Sequence, residues 1–131
     1  MIKEFSISTS KRNELIDITG KIKEIVKQSK IKQGICIVYC PHTTAAITIN
    51  ESADPAVQRD IIISLSKLIP ENDNYQHSEG NSDSHIKSSL VGASETLIIK
   101  DNKLILGTWQ NIYFAEFDGP RQRKVIVNII D

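Results

Sequence analysis

Apolar positions along this chain recur in two periods, and each period predicts its own elements. Residues 2–9, IKEFSIST, alternate weakly and predict an edge strand, and 13–19, NELIDIT, form a second short apolar stretch. Within GKIKEIVKQS, Ile22, Ile25 and Val26 repeat at helical spacing with lysines opposite, and Thr19 stands where a capping hydroxyl belongs. Residues 35–40, ICIVYC, are apolar on both faces, the pattern of a central strand covered on two sides. The next run, 43–50, puts His42, Thr44, Ala46, Thr48 and Asn50 on one face if it is extended, a face polar enough to line a cavity.

Residues 53–70 carry the clearest helix signal. Asp54 caps it, Pro55 takes the first helical position, Val57, Ile61, Leu65 and Leu68 form the apolar stripe, and Pro70 stops it. Residues 71–83, ENDNYQHSEGNSD, show no periodicity, and loops of that length tend to be functional or disordered. Asp83 or Ser84 is expected to cap a short helix, HIKSSLV, that Gly92 ends and in whose first turn His85 lies. The last third is β: a hairpin over ETLIIKDNKLILGTW turning at Asp101-Asn102, then 111–117 and 124–130 joined by DGPRQR. The order ββαββααβββ predicts one α+β domain over residues 1–131, a mainly antiparallel β-sandwich with about three helices.

Composition narrows the functional classes. Sixteen basic and sixteen acidic residues cancel, so no broad field attracts nucleic acid or an anionic membrane. No apolar run approaches the ~20 residues that span a bilayer, and MIKEFSISTSKRNE lacks the apolar core of a signal peptide, so a cytoplasmic location is expected. Cys36 and Cys40 lie four apart in a strand, about 13 Å, too far for a disulfide, and are expected as buried thiols, with Cys40 as a ligand beside His42 the alternative. The Walker loop, GxGxxG and GxSxG patterns are missing, which disfavours nucleotide-binding and serine-hydrolase readings.

The candidate chemistry begins with the three histidines, His42, His77 and His85. The long loop can fold back to bring imidazoles together, and three imidazoles with an open position suit zinc and related divalent ions; spacing alone leaves isolated surface or core histidines equally open. Arg121 and Arg123, two apart, share a side if extended and suit phosphate; the alternative is a solvated basic loop. Thr43, Thr44 and Ser94 are hydroxyls that bind either phosphate oxygens or local backbone groups. Glu51 and Asp54 are the candidate acid–base pair beside the His42 strand, with the helix cap a competing role for Asp54. Asp118 either supports a metal or pairs with an arginine, and Trp109 either walls a pocket or packs into core or interface.

Three spaced blocks, PHTTAAITINESADP, YQHSEGNSDSHIKSSLVG and LGTWQNIYFAEFDGPR, resemble the signature blocks of the YjbQ family, small proteins also labelled secondary thiamine-phosphate synthase. The resemblance runs over essentially the whole chain. It matches His42, His77 and His85, the Glu79-Gly80-Asn81 loop, Gly107 to Gln110, and Asp118 to Arg121. It implies a compact α+β sandwich assembled as a homotrimer, with a histidine-lined site holding a divalent metal; three imidazoles favour zinc, nickel or manganese, and diphosphate chemistry magnesium. The expected reaction joins a pyrimidine diphosphate to a thiazole phosphate and releases pyrophosphate. In that reading His42, His77 and His85 hold the ion, while Arg121, Arg123 and Thr43 or Thr44 hold phosphate oxygens. Competing expectations are a metal-dependent hydrolase with a histidine-bound water, and a non-enzymatic trimeric module that binds metal or anion.

Overall fold

The computed structural model describes residues 1–131. A five-stranded antiparallel sheet runs in the order β1 (Ile2–Ser8), β8 (Gln122–Ile130), β3 (Gln33–Tyr39), β5 (Ser94–Lys100), β6 (Lys103–Leu104). A three-stranded sheet, β2 (Glu14–Asp17), β7 (Gln110–Glu116), β4 (Ala45–Glu51), packs against one face of it. The α+β class, the antiparallel pairing and the edge position of β1 agree with the pattern of the sequence. Four strands follow the helices, where the order ββαββααβββ counts three; the hairpin expected at Asp101-Asn102 is present, both residues adopting positive φ as the two-residue β6 folds back on β5.

The core between the sheets is aliphatic. Val38, Ile47, Leu97, Phe114, Val125 and Val127 meet there, with Ile22, Ile25 and Val26 of α1 (Thr19–Ser29) closing one end. Each such side chain contributes about 1.5–3 kcal/mol by leaving water. Thr19 is not the cap of α1: its hydroxyl accepts from the Ile112 N–H at 2.8 Å, and Asp17 Oδ1 takes the Thr19 N–H at 2.9 Å. On the far side of the small sheet lie α2 (Pro55–Leu68) and α3 (Ser82–Val91), where Ile62, Leu65 and Val91 cover Ala46, Ala115 and Phe117. The stripe on α2 therefore passes through Ile62, while Leu68 is exposed.

Helix α3 starts earlier than its sequence suggested. Asn81 is its cap residue, and Asp83 and Ser84 are buried inside it. Asp83 is drawn in by charge: Arg12 Nη2 lies 2.9 Å and the buried Lys87 Nζ 3.4 Å from its carboxylate. Ser84 donates to the Phe117 carbonyl. No helix is long and apolar enough to cross a membrane.

Cys36 and Cys40 are both free and buried, and burial pushes each thiol up to about 11. Iodoacetamide at pH 8 is expected to leave both unmodified in the native protein and to alkylate both in denaturant, read by intact mass.

Candidate functional site

A polar cavity of about 350 Å³ opens where four segments meet: the turn before β4, the loop before α3, α3 itself and the turn before β8. Pro41, His42, Thr43, Thr44, Glu79, Asn81, His85, Asp118, Arg121 and Arg123 line it.

Beneath this cavity lies a buried ion pair. Glu116 and Arg123 are both inaccessible; Arg123 Nε donates to Glu116 Oε1 at 2.8 Å and its Nη2 donates to Glu116 Oε2 and to Thr44 Oγ1. Glu116 also accepts from Thr9 Oγ1 and from the N–H groups of Phe117 and Asp118. Burial pushes the Glu116 carboxyl up, but the bonds from Arg123, the Asp118 N–H and Thr9 outweigh it and hold the group below its ordinary range. The pair thus locks the 41–44 turn to the 117–121 turn. Gly119 completes the lock by close approach: a Cβ there would meet the Lys11 carbonyl at 2.3 Å.

Upon that base the exposed groups are oriented. Asp118 Oδ2 accepts from Asn81 Nδ2 at 2.8 Å and from Arg121 Nη2 at 3.0 Å. Arg121 Nε donates to the Asp118 carbonyl at 2.9 Å, so two of its five N–H groups are engaged and three remain for a ligand. Asp118 therefore pairs with arginines, Arg121 and Arg12, as one of its two expected roles held. Ser88 Oγ donates to the Thr43 carbonyl and pins that turn to α3, leaving the Thr43 side chain exposed.

His42 is fixed by backbone. Its Nε2 accepts the Lys124 N–H at 2.9 Å, which requires the neutral ring to carry its proton on Nδ1. Desolvation, then the charge of Arg123, push its pKa below the ordinary 6.5. A depressed histidine favours the folded state above the unfolded pKa, and that contribution falls as pH drops through 6.5. Urea denaturation at pH 7.5 and 5.5 is expected to show a smaller stability loss in His42→Asn than in the parent chain.

The three expected metal ligands do not assemble within the chain. His77 and His85 meet edge to face with ring centroids 5.3 Å apart, and His42 and His85 share the cavity. Yet no three His, Cys, Asp or Glu side chains gather at ligand distance. His42 offers no lone pair either, one nitrogen accepting a backbone N–H and the other being protonated. The donor set does not fit the three-imidazole ion.

Other expected residues fall elsewhere. Arg123 and Thr44 line the cavity floor, but Arg123 donates to Thr44 Oγ1 and to Glu116 and so is engaged inside the protein. Glu51 sits at the opposite end of β4, six residues or about 20 Å from Ala45, and Asp54 caps α2 by accepting from Ala56 N at 2.9 Å. Neither reaches His42 as an acid–base partner. Ser94 pairs with Tyr39, is exposed on the outer face of the large sheet, and is not among the residues that line the cavity. Trp109 does not pack into the core; it is exposed at the Glu51 end. The sequence reading missed Arg12 and Glu116.

Residues 3–131 match the family model described as UPF0047 protein YjbQ-like. The chain belongs to the YjbQ family. Among YjbQ relatives, the UPF0047 protein of Methanocaldococcus jannaschii is 62% identical over 130 residues, covering 99% of this chain and 94% of that one. YugU of Bacillus subtilis is 47% identical over 99% of each. A crystal structure of a YjbQ/UPF0047 protein from Clostridium acetobutylicum superimposes with TM-score 0.96 at 55% identity, over 98% of this chain and 99% of that one. The YjbQ-like protein of Sulfolobus solfataricus, described as of unknown function, gives 0.95 at 34% identity, over 98% and 95%.

Proposed function

We propose that the cavity binds a small phosphorylated metabolite and acts as a transferase of the thiamine-phosphate synthase type. One observation carries this reading: Arg121 is oriented through Asp118 into a polar cavity with three N–H donors unengaged. In the reaction the thiazole nitrogen attacks the pyrimidine methylene carbon, the carbon–oxygen bond breaks, and both electrons leave with pyrophosphate. The work of the protein is to stabilise that growing negative charge. Arg121 and the His42 Nδ1–H are the donors, with the Thr43 hydroxyl beside them; the buried Glu116–Arg123 pair keeps them in place. No covalent nucleophile is needed. Since the residues of the chain do not fit a three-imidazole metal, no step is routed through one.

Incubation with the pyrimidine diphosphate and thiazole phosphate should yield thiamine phosphate and pyrophosphate in equal amounts. Generic phosphoesters should be left intact. Hydrolysis of phosphoesters without thiamine phosphate would favour the hydrolase reading instead.

A homotrimer belongs to the same proposal. The outer face of the five-stranded sheet carries Ile2, Ile35, Tyr39, Ile98, Ile105 and Ile130 exposed, with no helix over it. Such a patch on a small chain is the kind that another copy covers. Ile98→Lys is expected to shift the protein from trimer to monomer by light scattering; an unchanged mass would place the contact elsewhere.

A further inference from the structure

A second cavity is remote from this site. It holds about 530 Å³ between α1 and the turn joining β5 to β6. Four lysines reach it from three segments: Lys23 and Lys27 one turn apart on α1, Lys32 before β3, and Lys103 on β6. The lysines that form ion pairs lie elsewhere, at Lys21, Lys87 and Lys124. Asp101 is the single acidic group lining the cavity. Like charges at i, i+4 destabilise a helix, and helix-end electrostatics explains Lys27. It explains neither Lys32 nor Lys103.

Asn102 ties the backbone segments of the walls together. Asn102 Nδ2 donates to the carbonyls of Val26 at 2.9 Å and Ile31 at 2.8 Å, and its N–H donates to the Lys32 carbonyl at 3.2 Å. The turn is thereby tied to the end of α1, so the backbone that carries the four lysines is held in place while their exposed side chains stay free to meet a ligand.

We propose that this cavity binds a small polyanion carrying two or more phosphate groups. Its volume is that of a small-molecule site. Lysines act as point charges that count negative charge rather than read planar geometry. The cavity has no arginine and no aromatic ring on which a base would stack. Leu104 is its one hydrophobic side chain, so affinity is electrostatic and falls with salt. β3 separates this cavity from the His42 end by about 20 Å, so the inference is independent of the transferase reading.

The test follows backbone amide signals of the full chain during titration with tripolyphosphate. Amides of residues 101–104 should shift saturably, with a midpoint at least tenfold lower than for orthophosphate. Lys27→Gln with Lys103→Gln should weaken that midpoint at least tenfold, while Arg121→Gln leaves it within twofold; signals elsewhere report that each variant is folded. Unmoved amides at 101–104, equal midpoints for the two anions, or a midpoint insensitive to the lysine changes would each overturn the proposal.

Discussion

Arg123→Ala is expected to cost about 3–5 kcal/mol of folding stability, because it strands the buried Glu116 carboxylate without its charge partner. That is a large share of the roughly 5–15 kcal/mol that holds a domain folded. Removing both members, as Glu116→Leu with Arg123→Leu, should recover much of the loss, since the penalty lies in the uncompensated charge. The pH dependence follows from Glu116. In the parent chain its carboxyl is held below 4.5, so its contribution is present above that pH and lost as pH falls through the depressed folded value. In Arg123→Ala burial acts without the arginine, Glu116 takes up a proton more readily, and the deficit against the parent should shrink in acid. Urea denaturation of the three proteins at pH 7 and pH 4 measures both effects.

Arg121→Gln should leave folding within about 0.5 kcal/mol, as expected for a half-exposed side chain away from the core. Its effect belongs to the ligand. Losing one preorganised donor to a developing anion costs about 100-fold in kcat. Arg121→Lys should recover only part, because an ammonium cannot bond Asp118 and still present the same fork of donors. Rates of pyrophosphate release from the pyrimidine diphosphate in the two variants, set beside their melting curves, separate this role from a structural one.

The legible parts of the molecule were those set by local rules. Pro55 behind Asp54 marked α2, Gly92 ended α3, and alternation in residues 124–130 gave β8. What stayed hidden depended on partners distant in sequence. Asp83 looked like a helix cap until Arg12 and Lys87 closed on it. Arg123 looked like a phosphate ligand because Glu116 is invisible as its partner from spacing alone. A signal did exist: Glu116 is the one charge in NIYFAEF, and Arg123 falls at an inward position of β8, where an unpaired charge is prohibitive. The three histidines stand in different relations to one another. His77 meets His85 and His85 shares a cavity with His42, but the Lys124 N–H decides which His42 nitrogen holds the proton, and that bond comes from a residue far along the chain.

The most direct measurement of the central claim uses those three rings. Their imidazole signals can be followed at pH 7 while pyrophosphate is added. An anion held between Arg121 and the His42 Nδ1–H should move the His42 and His85 signals saturably, with the His42 shift lost in Arg121→Gln. If His42 and His85 stay still at saturating pyrophosphate, or move identically without Arg121, the cavity is not a phosphate site.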